Sequence, residues 1–580
     1  MPFLSFIGLA LRSLLHPRSS RLNLFQLYSR TMSAGQERSL GDLTLDENVP
    51  STGRSEEEKA TKKAAKAAEK AAREAEKAAK VALRGVKQAA MTTADPDDPL
   101  RDQYGDLELV QSKTSCTKSF VRVEDLNEAL VGQKVLIRSR VHNVRGKGSS
   151  AFLVLRQRTA TVQATLFADD ETVSKGMVKY ASQITRESIV DVGGVICAPL
   201  KPIEGCSQSQ VELKVDYIRV VSRAVILPFE ITDAARSEDE IKAAESRGEK
   251  MATVSQDIRL DNRFLDLRTP ANQAIFKVQS AVCQLFKELL LNQGFQEIHS
   301  PKLIAGASEG GASVFKLEYK GMPACLAQSP QLYKQMAICA DMERVFEVGP
   351  VFRAEDSYTH RHLCEFMGLD FEMQIYEHYF EVLDVIEKLF EHIFNGLATR
   401  FGKELSVISQ QYPFEMPVFK PLRLTFPEGI AMLQESGYPD VDPLGDLNTA
   451  AERRLGALVK EKYGTDFYVL HRYPAAVRPF YTMPCSDDPQ YSNSYDVFIR
   501  GEEIISGAQR IHDPDMLTER ALACGIEIDT IRSYIDSFRF GAPPHGGAGI
   551  GLERVVMLYC GLDNIRKTSL FPRDPKRLTP

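Results

Sequence analysis

The chain has 580 residues, too many for one hydrophobic core, so several domains are expected. Hydrophobic residues make up 43% and charged residues 26%, which fits a folded globular chain and excludes a wholly disordered one. The net charge of −6 excludes a uniformly basic nucleic-acid binder, so any contact with RNA has to come from local basic patches.

Residues 1–31 carry Arg12, Arg18, Arg21 and Arg30, several serines and no acidic residue. That composition suits an organelle-targeting leader, with Met32 as an alternative start. A tail without an address has the same composition. Residues 32–117 read as an extension, polar and disordered at first. Within it, basic residues fall at 59, 63, 66, 70, 73, 77, 80, 84 and 87, alternate steps of 4 and 3 that place one cationic stripe on a predicted helix over 59–87. Ten Lys and Arg face three Glu in Lys59–Lys87, a local balance of +7. Such a stripe can track a phosphate backbone; a solvated Ala-rich helix is the plainer alternative. The Asp95-Pro96-Asp97-Asp98-Pro99 cluster marks residues 89–117 as linker.

Residues 118–225 turn to short β-branched strands, at Lys134–Val144, Ala151–Arg156, Thr161–Phe167, Ser188–Ala198 and Gln210–Val221. Five strands in this length suit a small barrel of the OB type, a fold that binds single-stranded nucleic acid. A charged hinge follows over 226–265. Residues 266–580 mix strands with helices at Asn272–Asn292, Tyr379–Arg400 and Thr449–Lys462, and Gly549–Cys560 reads as a Gly-rich turn feeding a helix. The expected class is therefore α+β, with a mostly antiparallel sheet flanked by helices. No GxGxxG follows a strand and no GxxxxGK[ST] occurs, which argues against Rossmann and P-loop nucleotide sites. Ten cysteines without CxxC pairs give no zinc or disulfide pattern and suit a reducing compartment. No apolar run of 18 residues occurs, so no membrane span is expected.

Several segments of the last domain concentrate chemistry. Phe352–Phe366 holds Arg353, Glu355, Asp356, His360, Arg361, His362 and Glu365. An arginine there can grip phosphate through two N–H groups, and Glu355 can accept from an adenine amino group. A surface salt-bridge network would use the same residues. Gly501–Asp513 offers Glu502, Glu503 and Asp513 as oxygen ligands for Mg²⁺. In Gln328–Gln335, Gln331 and Lys334 lie one helical turn apart, and read alone Lys334 is a solvated surface charge. Ala307–Ser313 is a run of small residues with Glu309 as its one charge, a candidate lid.

Together these segments resemble the three signature motifs of class II aminoacyl-tRNA synthetases. Asn292–Ile304, with Pro301, is similar to the first, which in the family builds a dimer interface. Phe352–Phe366 resembles the second and Gly549–Arg554 the third. The OB-like region places the chain beside the aspartyl, asparaginyl and lysyl branch, and QSPQLYKQ with SGAQRIHD narrows the likeness to its aspartyl members of the eukaryotic cytosolic type. The basic stripe resembles their tRNA-binding extension.

The resemblance implies a ligase using ATP, Mg²⁺, L-aspartate and tRNA(Asp), cytoplasmic and homodimeric, with a multi-synthetase assembly as a further partner. Arg353, Arg554 and Glu503 would be the catalytic residues. ATP would meet Arg353 at its α-phosphate and Glu355 at its adenine. Phe366 and Arg554 would stack on the adenine, Arg361 and His362 would hold the outer phosphates, and Leu363, Gly551, Leu552 and Glu553 would complete the site. Glu503 and Asp496 would hold the metal. Aspartate would meet Glu309, Gln331, Lys334, Arg353, Ser506 and Arg510, with Lys334 and Arg510 selecting its side-chain carboxylate. Phe152, Gln163 and Glu212 would read the anticodon. An asparaginyl or relaxed-specificity enzyme is the alternative. A non-catalytic RNA-binding paralogue would have lost one of Lys334, Arg353, Glu503 or Arg554, and all four are present.

Overall fold

The computed structural model describes residues 95–580 apart from 114, 170, 306–313 and 439–440. The leader, the basic stripe at 59–87 and Glu309 lie outside the described residues.

Six strands build the first domain: β1 (Tyr104–Asp106), β2 (Lys134–Lys147), β3 (Ser150–Gln157), β4 (Ala160–Phe167), β5 (Ile189–Cys197) and β6 (Glu212–Ser222). Their order is β1-β6-β4-β3-β2-β5, and a further β5–β6 pairing closes the barrel. Alternation sets the inner face: Val135, Ile137, Val141, Leu153, Leu155, Val162, Val192 and Leu213 are buried on successive strands. At the β5 bulge, a Cβ on Gly194 would come within 2.1 Å of the Lys214 carbonyl oxygen, so only glycine lets the strands close there.

Two features depart from the sequence reading. A helix at Lys175–Ser182, capped by the Ser174 hydroxyl, sits between β4 and β5. The supposed linker 89–117 contributes β1, which runs parallel to β6 from Tyr104↔Ile218 to Asp106↔Val220. The acidic cluster that suggested a linker anchors it, since Asp98 accepts from the Leu100 amide at 2.9 Å and the Tyr104 hydroxyl at 2.9 Å.

The hinge is folded into short helices at Ile231–Ala234, Glu238–Ser246, Gln256–Asp261 and Arg263–Asp266, so the expected boundary at 265/266 falls inside the last. Arg263 is buried there. It pairs with Asp266 at 2.6 Å and donates to the Ser569 carbonyl at 2.8 Å, tying the hinge to the end of the chain. At the barrel's border, buried Glu187 binds Arg156 of β3 at 2.7 and 2.8 Å and Arg268 at 2.9 Å, just before the long helix Pro270–Asn292.

The last domain is an eight-stranded sheet of order β13-β14-β15-β16-β17-β12-β11-β7. Its strands are β7 (Gln296–Glu297), β11 (Arg344–Phe352), β12 (Glu365–Gln374), β13 (Arg423–Thr425), β14 (Phe467–His471), β15 (Ser494–Ile499), β16 (Glu502–Gln509) and β17 (His545–Gly551); β8 (Leu303–Ile304), β9 (Lys316–Tyr319) and β10 (Met322–Leu326) form a small second sheet. All neighbours in the large sheet are antiparallel except the edge pairs β11–β7 and β13–β14. Helices Pro270–Asn292, Phe380–Arg400, Gly402–Gln411 and Leu552–Tyr559 share one continuous core with the sheet. The glycines expected to form a turn before the last helix instead form β17. A Cβ on Gly547 would lie 2.2 Å from the Phe371 carbonyl oxygen and 2.3 Å from the Glu372 carboxylate.

Glu187→Ala leaves Arg156 buried without its carboxylate. It is expected to cost about 3 kcal/mol at the barrel junction, read as a lower urea midpoint for the barrel. An unchanged midpoint would show that Glu187 does not hold that junction.

Candidate active site

The central strands β11, β12, β16 and β17 and the helix Gln331–Cys339 surround a cleft of about 190 Å³. It brings together Gln331, Arg353, Glu355, Arg361, His362, Leu363, Phe366, Glu503, Ser506, Arg510, Gly551, Glu553 and Arg554. Gln331 and Arg554, the first and last of these residues, stand 223 positions apart in sequence. The antiparallel pairing collects them: Ser506 lies opposite Gly549, and Gly368 opposite Gly551.

Lys334 is the largest departure from a reading of the helix alone. It is 1% exposed, not a solvated surface charge. Its Nζ lies 3.1 Å from Asp370 Oδ1, 3.4 Å from Glu372 Oε2 and 3.1 Å from the Ala548 carbonyl oxygen. It sits behind the cleft wall, with Asp370 on the lining. Arg510 is also buried, and its Nε and Nη2 donate to Glu372 at 2.9 and 3.3 Å while Nη2 also reaches the Gly547 carbonyl oxygen at 2.8 Å. Nη1 finds no acceptor among the described residues. Burial pushes the Glu372 carboxyl up, but Arg510 and Lys334 outweigh it and hold the group below its ordinary value. The two cations are therefore not bare: Glu372 and Asp370 balance them. Gln331 continues the network through Gln335, whose side chain also meets Tyr534 at 3.0 Å and His545 at 3.0 Å.

Arg353 follows β11, and its guanidinium lies 5.5 Å from the centre of the Phe366 ring. Arg554 donates to the Glu503 carbonyl at 2.9 Å and lies 3.6 Å from its carboxylate. Arg361 is paired with Glu452 at 2.5 Å, and His362 faces Glu355 at 3.9 Å. Glu452 is held up at about 7, chiefly by burial.

Other expected roles are altered. Leu552 is buried in the core below the cleft and does not line it. Glu553 turns beneath β12 and accepts from the Met367 amide at 3.1 and 3.2 Å. Glu502 pairs with Arg453 at 2.6 Å and His360 at 3.1 Å, Asp513 caps the helix Pro514–Ala523, and neither lines the cleft. Asp496 has both oxygens bound by Arg478, at 3.0 and 2.6 Å. Burial and the nearby Asp496 charge push the Glu503 carboxyl up.

Asp370, Glu372 and Arg478 were missed by sequence reasoning. Two acids at alternate positions of the apolar run Gly368–Met373 are the signal that marks a buried cluster. Arg478 carries none, because it arrives on an irregular loop after β14.

On the barrel, Phe152 and Gln163 line a cavity of about 630 Å³ with Arg145, Arg186 and Glu187. Gln163 donates to Glu212 at 3.0 Å, so the three expected readers share the outer face. Phe152 is 36% exposed and packs edge-on against Phe167, itself 50% exposed.

Residues 255–575 match the family described as tRNA synthetases class II (D, K and N), and residues 135–221 match the OB-fold nucleic acid binding domain. Aspartate–tRNA ligase 1, cytoplasmic, of Arabidopsis thaliana is 56% identical over 85% of this chain and 92% of that protein. The human cytoplasmic aspartate–tRNA ligase is 55% identical over 83% of this chain and 96% of its own length. Among solved structures, aspartyl tRNA synthetase from Entamoeba histolytica superposes with a TM-score of 0.77 at 50% identity, covering 82% of this chain and 96% of that one. An asparaginyl-tRNA synthetase of Pyrococcus horikoshii, complexed with asparaginyl-adenylate, gives 0.68 at 31% identity, covering 80% of this chain and all of that one at 100%.

The Glu553 carboxyl is raised from 4.5 to about 7, first by burial. The folded chain thus binds its proton more tightly than the unfolded chain, and stability present below the ordinary value is lost as pH rises through 7. Glu553→Gln is expected to match the unmodified chain at pH 4 and to exceed its stability by about 3 kcal/mol at pH 8. A difference independent of pH, in denaturation at both values, would contradict this.

Proposed function

Because the chain belongs to the class II tRNA synthetases (D, K and N), we infer that it joins L-aspartate to tRNA(Asp) with ATP. The activity is aspartate–tRNA ligation. The observation that carries the substrate assignment is the buried floor of the cleft, where Glu372, itself paired with Lys334, holds the Arg510 guanidinium through Nε and Nη2 and Nη1 is left without an acceptor among the described residues.

The residue roles follow from chemistry. Arg510, and Lys334 through the shared cluster, favour the β-carboxylate of aspartate. The substrate α-carboxylate attacks the α-phosphorus of ATP, and pyrophosphate leaves. Arg353 meets the charge that develops on the phosphoryl oxygens, and the other cleft residues hold the reactants in line. Phe366 and Arg554 clasp the adenine, Glu355 accepts from its amino group, and Arg361 and His362 take the outer phosphates. Gln331 and Ser506 position the amino acid. The 3′ end of the tRNA then takes aspartate from the adenylate.

Mg²⁺ is the proposed metal, with Glu503 as its ligand; it neutralises triphosphate charge when bound. Glu503 fits, as a hard oxygen donor whose ionised form is disfavoured by burial and by Asp496. Asp496 fits only by sharing an oxygen with Arg478.

Phe152 offers a stacking face, with Gln163 and Glu212 beside it for base edges. The basic stripe at 59–87 adds sequence-independent attraction for tRNA. A homodimer is supported by exposed Leu291, Pro301 and Leu303 around the first motif. We place the chain in the cytoplasm, with residues 1–31 as an organelle address on a longer form. A multi-synthetase assembly remains a proposed partner.

Aspartate-dependent ATP–pyrophosphate exchange tests the assignment; exchange with asparagine at equal efficiency would move the chain to the asparaginyl reading. Lys334→Ala is expected to raise the KM for aspartate by about 100-fold, the effect of some 3 kcal/mol from an uncompensated buried cluster. The KM for ATP should stay within a few-fold, and equal effects on both would refute the assigned role. Removing residues 1–90 should leave exchange intact, weaken tRNA binding and flatten its dependence on salt. An unchanged salt slope would end the role of the basic stripe.

A further inference from the structure

The loop between β14 and β15 carries Arg478 into the cleft wall. Its Nη1 and Nη2 hold the two oxygens of Asp496 at 3.0 and 2.6 Å, and Nη1 also donates to the Ser506 hydroxyl at 3.1 Å. The guanidinium carbon lies 3.8 Å from the centre of the Tyr473 ring, and Tyr473 is itself 1% exposed and packed on Phe426. Nε is buried and has no hydrogen-bond partner among the described residues. The fork is therefore held by the Tyr473 ring on one side and by three donated bonds at its end.

The surroundings explain why a cation is kept there. Asp496 stands opposite Ser506 in the β15–β16 pairing, and Glu503, on the same β16, lines the cleft wall with Arg478. Arg554 lies 3.6 Å from the Glu503 carboxylate, while the bonds to Asp496 come from Arg478. The same guanidinium touches Ser506, so it links the acid proposed for the metal to a hydroxyl proposed for aspartate.

We propose that Arg478 is the resident counter-ion of the divalent-cation site, holding Asp496 in a two-point fork so that a metal ion would share that carboxylate with the arginine. This rests on the reading of Glu503 and Asp496 as the metal residues. Arg478 is a positioning residue, acting through Asp496 and Ser506. Two consequences run in opposite directions. Without the positive charge, the carboxylates attract a dication more strongly. Without the fork, Asp496 and Ser506 lose their fixed orientation and adenylate formation slows. A side chain that only supports the fold would weaken both together.

The test uses the full chain with a non-hydrolysable ATP analogue and Mn²⁺ as the probe, free Mn²⁺ being read from its EPR signal. Arg478→Met is expected to bind Mn²⁺ about tenfold more tightly, the scale of one unit charge a few ångströms away after screening. Arg478→Lys keeps the charge and should stay near the unmodified affinity. Both variants should lose at least about tenfold in kcat for pyrophosphate exchange. Equal or weaker Mn²⁺ binding by Arg478→Met overturns the proposal. If that variant does not fold, Arg478→Lys decides alone: unchanged kcat, or Mn²⁺ affinity weakened in step with kcat, overturns it. Absence of aspartate-dependent exchange in the unmodified chain would instead fault the functional reading, and the Mn²⁺ titration is independent of that result.

Discussion

Glu372 is the constraint around which the cleft is organised. It is fully buried, and an isolated carboxylate there would be very costly. Lys334 and Arg510 make it tolerable, and each is in turn tolerable only because Glu372 is present. The three charges belong to a helix, to β12 and to the residue after β16, so one ionic contact fixes three elements at the cleft floor. Removing any one member leaves a buried charge unmatched, which locks the positions of the other two. The sheet supplies the remaining precision. β17 presses against β12 with no side chain at Gly547, and the Gly547 carbonyl oxygen is then close enough to accept from Arg510.

The same logic of shared counter-ions recurs across the molecule. Glu187 at the barrel border is held by Arg156 and Arg268, and it also borders the cavity that holds Phe152 and Gln163. The barrel surface suited to nucleic acid and the start of the long helix Pro270–Asn292 thus meet at one carboxylate. Glu502, with Arg453 and His360, ties β16 to the loop after β11. In each case an acid inside a local excess of cations joins segments far apart in sequence. Hydrophobic packing gives each domain its core, and these acids set how neighbouring pieces are registered.

Much of this was legible before the structure. Alternation placed the five main barrel strands to within a few residues, because one face of each is buried and the other is wet. The three long helices carried their own periodicity and ends, with Gly294 at positive φ closing the first. The cleft residues came from motif likeness, and the geometry gathers most of them. What sequence hid is what depends on tertiary context. Lys334 looks like a surface lysine until Asp370 and Glu372 are seen behind it. Leu552 and Glu553 stand in the right motif, yet one packs into the core and the other binds a backbone amide. Residues 104–106 are too short and too acidic in context to announce a strand, and only the free edge of β6 makes them one. Arg478 sits in a loop without periodicity, so nothing local reveals its partner.

The paired state of the cations changes how selectivity has to be understood. Two unmatched positive charges would bind any anion and would be expensive to bury. In the folded protein, Lys334 and Arg510 are balanced by Asp370 and Glu372, so the floor has little net charge to attract with. Selection must then come from hydrogen-bond type as well as from field. Arginine is a donor only, and the Nη1 group left over at the floor requires an acceptor. A carboxylate presents acceptors on both oxygens in either orientation. A side-chain amide presents one acceptor and one donor group, and the donor group would face another donor. The cost of such a buried mismatch exceeds that of a missing methylene, which is why a site built on donors separates aspartate from asparagine more strongly than a site built on shape. In the proposed site Glu372 serves specificity indirectly: by accepting from Nε and Nη2 it orients the guanidinium and leaves Nη1 facing the substrate instead of a mobile charge.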